Sequence, residues 1–304
     1  MREEDIVLDS RDMKNTIYAK QWLPTGEIKA VLILVHGMSE HIGRYREMAE
    51  YLCSQGFLVA AEDMLGHGTT GEVQREFGYF TEQDAATVLV RDVHRLKKTV
   101  QEKYPSFPVF IFGHSMGAII VRNYIMRYGS GIKGAIIMGN IDRGVFACQI
   151  SKIFIRLMAL FKGWHYKSDL VTYLALMRNK RGPSQFPLLS HRPEIIEQHK
   201  KDKYCGFLFS LNGYYTLVEL LLRCRDKKLL DKIPKGLPIL MLDGGEDQFG
   251  DYGEAPKKVK RIFMREGIKN IKSRIFKNDA HEVYNEKDRF EAFNDIVRFC
   301  AETP

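Results

Sequence analysis

The sequence predicts an α/β fold, a mostly parallel central sheet flanked by helices, with an inserted helical cap. Three observations carry this. Continuous apolar runs alternate with amphipathic segments, one such run leads into Gly113-His114-Ser115-Met116-Gly117, and the alternation stops after Met138 and returns only at Leu237. A chain of 304 residues can build one large core with an insertion, and 45% hydrophobic and 28% charged residues are the proportions of a folded globular protein.

In chain order, Ile6-Val7-Leu8 and Thr16-Ile17-Tyr18-Ala19 alternate weakly and break at Pro24-Thr25-Gly26, as an antiparallel hairpin at a sheet edge does. Val31 to Val35 is apolar throughout, the signature of a strand buried on both faces. Tyr45, Met48, Ala49 and Leu52 have helical spacing, Gly56 ends that helix, and Phe57 to Ala61 begins another buried strand, which completes a βαβ unit. An amphipathic segment from Asp84 to Tyr104 is stopped by Pro105. Val109 to Phe112 then enters the Gly113–Gly117 motif, and a helical pattern resumes to about Tyr128. Gly134 to Met138 and Leu237 to Leu242 read as further strands. Between them lie two apolar helices, Phe146 to Phe161 and Asn212 to Cys224, separated by an irregular stretch with Gly182-Pro183 and Arg192-Pro193. The core closes with a helix near Pro256 to Glu266, a strand Ser273 to Phe276 and a helix from about Glu286 to Cys300. Residues 1–142 and 226–304 are therefore expected to form the core, and 143–225 the cap.

The acidic start, Met1-Arg2-Glu3-Glu4-Asp5, has no basic and apolar signal pattern, and no apolar run reaches the length that spans a bilayer. Five cysteines without a Cys-x-x-Cys pair read as reduced thiols, which favours a cytoplasmic location and neither a disulfide framework nor a zinc site. The net charge of +8 is spread along the chain, so a nucleic-acid partner is not expected.

The chemistry centres on Ser115. Between a buried strand and an amphipathic helix, Gly-x-Ser-x-Gly is placed as a nucleophile elbow, whose small flanking residues permit a strained turn that exposes the hydroxyl. The helix that follows directs its first amides toward a developing oxyanion, which makes Met116 N–H one donor. The loop after an earlier strand, His36-Gly37-Met38-Ser39, offers Met38 N–H as the second, although His36-Gly37 alone could be a tight strand exit.

A serine hydroxyl needs a base and a carboxylate to orient that base. Of the later histidines, His165, His191 and His199 fall in the cap and read as surface residues. His281 alone lies just beyond a late core strand. Asp243, Glu246 and Asp247 follow another strand. Asp247 is chosen because a loop must carry the acid past the strand end, with Glu246 and Asp243 as alternatives, while Asp279 is too close in sequence to His281 to orient its ring. His41, His67 and His114 show no metal-ligand spacing, and His114 reads as the variable residue of the elbow. No glycine fingerprint for a dinucleotide occurs, so no cofactor is expected.

Four passages together resemble the monoacylglycerol lipase and lysophospholipase group of α/β hydrolases, which is grouped with serine aminopeptidases. They are His36 to His41 with Gly43-Arg44-Tyr45, Asp63 to Gly68, the elbow itself, and His281 to Glu286. The resemblance covers nearly the whole chain and implies the α/β-hydrolase fold, a Ser115-His281-Asp247 triad and oxyanion amides at Met38 and Met116. Lys203-Tyr204-Cys205-Gly206-Phe207 looks like a segment of bacterial members. Asp63-Met64-Leu65-Gly66 departs from the usual Asp-x-Arg-Gly, and Asp279-Ala280 stands where small or basic residues are common.

The expected activity is hydrolysis of a carboxylic ester through an acyl-enzyme, with a monoacylglycerol or lysophospholipid preferred. A short-chain or aryl esterase is the nearest alternative. A proline-type aminopeptidase would need acidic cap residues for a free amine, and Glu194, Glu197 and Glu219 do not clearly form such a site. A non-catalytic binding protein would be marked by loss of a triad member. The basic side of the first cap helix, with Lys152, Arg156 and Lys162, could touch an anionic lipid surface.

Overall fold

The computed structural model describes residues 1–177 and 189–303. Gly182-Pro183 lies outside the described residues. One eight-stranded sheet runs in the order β1-β2-β4-β3-β5-β6-β7-β8. Its strands are β1 (Arg2–Asp9), β2 (Thr16–Leu23), β3 (Ala30–Val35), β4 (Phe57–Asp63), β5 (Val109–His114), β6 (Gly134–Met138), β7 (Ile239–Gly244) and β8 (Ile271–Phe276). The hairpin β1-β2 is antiparallel and joins the sheet antiparallel to β4; every later pairing is parallel.

The helices are α1 (Arg46–Ser54), α2 (Gly68–Gln74), α3 (Ala85–Lys103), α4 (Met116–Tyr128), α5 (Val145–Lys162), α6 (Asp169–Met177), α7 (Pro193–Lys201), α8 (Leu211–Arg223), α9 (Lys227–Leu230), α10 (Glu254–Arg265) and α11 (Arg289–Glu302). The central strands are apolar throughout because successive residues serve different cores. Val31, Ile33, Ile111 and Ile137 pack with α3 and α4, whereas Leu32, Leu34, Phe112 and Ile136 pack with α1 and α11 on the other face. This is the α/β-hydrolase fold.

Three boundaries differ from the sequence reading. The insertion holds four described helices, because α6 is apolar nearly all round and gives no 3.6-residue contrast, and because Pro193 begins α7 at its first turn, where a proline costs no hydrogen bond. The poor helix formers Gly68, Thr69, Thr70 and Gly71 hid α2. A short 3₁₀ turn, Val283–Asn285, delays the last helix to Arg289.

Two features set where loops meet. Arg225 Nε donates to Asp142 Oδ1 (2.9 Å), which fastens the last residue of the 143–225 segment to the residue that precedes its first. At the end of β7, a Cβ on Gly244 would stand 2.0 Å from Ala280 O and 2.5 Å from Asp279 O, so the loop after β8 runs directly against the exit of β7. Gly244→Ala is therefore expected to destabilise the fold by about 3 kcal/mol, at the upper end of overpacking costs because backbone must move. Urea unfolding measures this, and a loss below about 0.5 kcal/mol would mean the two loops are not held in contact.

Candidate active site

Ser115 sits between β5 and α4 with φ +56° and ψ −115°, a backbone conformation that side chains other than glycine rarely adopt. The turn is possible because its neighbours lack side chains. A Cβ on Gly113 would stand 2.3 Å from Gly117 O, and one on Gly117 would stand 2.1 Å from Val35 O. The strain is held by Ser115 N–H donating to Met138 O at the end of the adjacent β6 (3.0 Å).

The structure brings the three sequence-selected side chains into one line. His281 Nε2 is 2.7 Å from Ser115 Oγ, and its Nδ1 is 2.8 Å from Asp247 Oδ2. All three are buried, Asp247 completely. Asp247 is aimed by its own loop, since Phe249 N–H donates to its Oδ1 (2.8 Å) and Tyr252 N–H to its carbonyl (2.8 Å). Burial alone would lower the His281 pKa, but the charge and hydrogen bond of Asp247 hold it above the ordinary 6.5. The alternatives do other work. Asp243 accepts Asn140 N–H (2.6 Å) and Nδ2 (3.0 Å), which pins the exit of β6, and burial pushes its carboxyl up to about 7. Glu246 pairs with His191 at 3.0 Å. Asp279 has a buried oxygen without a partner among the described residues, and burial beside Asp288 and Glu286 raises it to about 7.

Met38 and Met116 border the same cavity as Ser115. The amides on both sides of Met38 are tied to side chains: Gly37 N–H donates to Glu40 Oε1 (2.5 Å) and Ser39 N–H to His67 Nε2 (3.3 Å). His36 supports this loop from below. Its Nε2 accepts Met64 N–H (3.1 Å) and its Nδ1 donates to Gly37 O (2.8 Å). Burial lowers both imidazoles, His67 to about 3, so both stay neutral and keep these roles. The departure at Leu65, where arginine is usual, leaves this untouched, because His36 uses the Met64 backbone amide and His67 the Leu65 carbonyl.

Sequence reasoning missed a buried cluster behind the line. Glu40 Oε1 accepts from Tyr45 OH (2.7 Å) as well as from Gly37, and Oε2 accepts from Arg44 (2.6 Å) and Tyr284 OH (2.9 Å). Arg44 also grips Glu282 with two 2.7 Å bonds. His114 is no free position of the elbow: it is buried, its Nδ1 faces Glu40 Oε1 (3.4 Å) and its Nε2 faces His281 O (3.2 Å). Burial pushes Glu40 up, yet the His114 hydrogen bond and the Arg44 charge hold it well below the usual carboxylate range. The Gly-Arg-Tyr and His-Glu passages carried the signal, but their meeting is tertiary.

Above Ser115 lies a cavity of about 830 Å³, walled by Ile155, Val171, Leu217, Leu221 and other apolar side chains of the insertion. His199 borders it, contrary to the surface position expected, because α7 turns Ile196, His199 and Lys200 toward the cavity; His165 is exposed as expected. Glu194, Glu197 and Glu219 do not line it. Each is paired with a cation, Arg192, Lys200 and Lys152 respectively. The cavity's own carboxylates, Glu40 and Glu282, are both engaged by Arg44.

Comparison with known proteins agrees with this architecture. The rat monoglyceride lipase is 39% identical over 263 residues, 84% of this chain and 80% of that protein. A monkeypox virus monoglyceride lipase homolog is 43% identical over 107 residues, a stretch that is 34% of this chain and only 36% of the viral protein. A thermostable carboxyl esterase from Bacillus coagulans superposes with a TM-score of 0.89 at 27% identity, covering 100% of this chain and 99% of the other. Residues 26–288 match the family described as serine aminopeptidase, S33, and the chain belongs to that family.

Proposed function

We propose that the protein hydrolyses carboxylic esters, with a monoacylglycerol as the preferred substrate, through Ser115, His281 and Asp247. The observation that carries this reading is His281 bridging Ser115 Oγ and Asp247 Oδ2 beneath a large apolar cavity. Ser115 Oγ attacks the ester carbonyl as His281 Nε2 takes its proton, and Asp247 holds the resulting imidazolium. The oxyanion is received by Met38 and Met116 N–H. Collapse expels the alcohol, to which His281 returns the proton, and water then releases the acid from the acyl-enzyme by the same relay. Residues 143–225 act as the cap, and their apolar side chains take the acyl chain, in a cavity within the roughly 300–1,000 Å³ typical of small-molecule sites. The names of the rat and viral relatives supply the substrate class. An aminopeptidase is disfavoured because, among the described residues, both cavity carboxylates, Glu40 and Glu282, are engaged by Arg44.

The outer face of α5 supports contact with a lipid surface. Phe146, Ile150, Ile153, Leu157 and Leu160 recur at intervals of three and four, and Phe146, Leu160 and Phe161 are 76%, 74% and 86% exposed. With Arg156 and Lys162 nearby, the helix is suited to lie in an anionic interface. Among the described residues no helix is long and apolar enough to cross a membrane. The five cysteines, four of them buried, fit a reducing, cytoplasmic setting.

Four outcomes are expected. Ser115→Ala lowers turnover of monoacylglycerols and p-nitrophenyl esters at least ~10⁴-fold without loss of fold; equal turnover by the folded variant would remove Ser115 from the mechanism, and faster cleavage of aminoacyl anilides than of esters would restore the peptidase. Because His281 must be neutral to accept a proton, its raised pKa places the acid limb of kcat/KM above pH 6.5. Asp247→Asn moves that limb downward and lowers kcat about 10⁴-fold; an unmoved limb would assign the orienting acid elsewhere. Flotation with phosphatidylserine vesicles should carry the wild type upward and leave Leu157→Glu/Phe161→Glu behind, whereas identical flotation of both would take α5 out of the contact.

A further inference from the structure

Beside the cavity, a cluster of side chains serves no step above. His41 follows the β3 exit loop, while Asp202 and Cys205 lie in the turn after α7, and one donor atom from each lies within 4.8 Å of the other two. We propose that His41, Asp202 and Cys205 bind a single zinc ion at the seam between the oxyanion loop and the insertion.

Nitrogen, thiolate and carboxylate are the donors zinc takes, at about 2.0–2.3 Å, which separates tetrahedral ligand atoms by about 3.3–3.8 Å. His41 Nε2 and Asp202 Oδ2 are 2.9 Å apart and the three ligand atoms lie within 4.8 Å of one another, so small side-chain shifts bring all three to that spacing. The turn is already formed. Cys205 N–H donates to Asp202 O (3.0 Å) and Tyr204 N–H to Asp202 Oδ1 (2.8 Å), which leaves Oδ2 directed at His41. All three residues are partly buried, so water can complete the coordination. His41 would carry its proton on Nδ1 and give up only the long contact from Gly43 N–H (3.3 Å). Burial first, and then the Asp202, Glu40 and Glu282 charges against that of Arg44, push the Cys205 thiol up, so the thiolate would form only as the metal displaces its proton.

The neighbouring bonds define the consequence. Gly206 N–H donates to Ser39 O (2.9 Å) and Ser39 Oγ to Phe207 O (2.7 Å), so this seam already joins the insertion to the loop that carries Met38. Zinc would tighten it and restrain the cavity wall.

The test is metal binding by the chelator-stripped full chain, without thiol reagents, using zinc chloride against a chromophoric chelator and cobalt chloride read by absorbance. The proposal expects one equivalent of zinc at micromolar or tighter affinity and a thiolate-to-cobalt charge-transfer band. Cys205→Ser should abolish the band, and both it and Asp202→Asn should weaken zinc at least ~10-fold, with thermal melts showing which variants are folded. No saturable zinc binding below about 100 µM, or binding undiminished in a folded Cys205→Ser or Asp202→Asn variant, would overturn the site.

Discussion

The Glu40 carboxylate is the point on which the site depends. Three loops that leave three different strands have to meet within a hydrogen bond of one another. Glu40 takes Gly37 N–H from the first loop, His114 from the elbow and Tyr284 from the third, while Arg44 extends the grip to Glu282 beside His281. Burying a carboxylate is costly unless every lone pair is used and a countercharge is near. Here both conditions are met by groups that themselves belong to the loops, so each loop's placement stabilises the other two. A hub of this kind buys precision more than stability: a buried charge cluster has one arrangement in which all its partners are satisfied.

The sheet supplies the complementary constraint. Parallel strands end side by side, so β5, β6, β7 and β8 deliver the turn at Ser115, the entrance to the insertion, the loop of Asp247 and the loop of His281 to one edge. The close approaches that glycine permits, Gly117 against Val35 O and Gly244 against Ala280 O, then bring the loops nearer than ordinary side chains allow. The strain at Ser115 persists because β6 and α4 fix the backbone on either side of it.

What could be read from the sequence follows from the range of the interactions. Val31 to Val35 and Val109 to Phe112 are legible as strands because burial on both faces is written as an unbroken apolar run. Ser115 is legible because the elbow is local, and Asp247 and His281 because each follows a strand at a short, countable distance. Glu40, His114 and His199 are not, since their work depends on partners 74 to 244 residues away or on a helix that lines a cavity. Glu194, Glu197 and Glu219 could be counted in the sequence, but only their ion pairs reveal that none is available to a ligand.

The insertion shows a second kind of illegibility, because α5 is apolar on two faces for two reasons. Cys148, Ile155 and Ala159 turn inward, where Cys148 and Ile155 border the cavity, while Phe146, Ile153, Leu157 and Leu160 turn outward and find no cover among the described residues. A core helix would have its second apolar face packed, and a surface helix would have it charged. A helix that separates an apolar cavity from an apolar exterior has the composition of a wall between two greasy phases. A long acyl chain leaving a bilayer loses its favourable environment if it must cross water to reach Ser115, at about 0.8 kcal/mol for each methylene exposed. An enzyme whose cavity wall itself rests in the lipid avoids that crossing, and the two apolar faces of α5 are the physical form such a route would take.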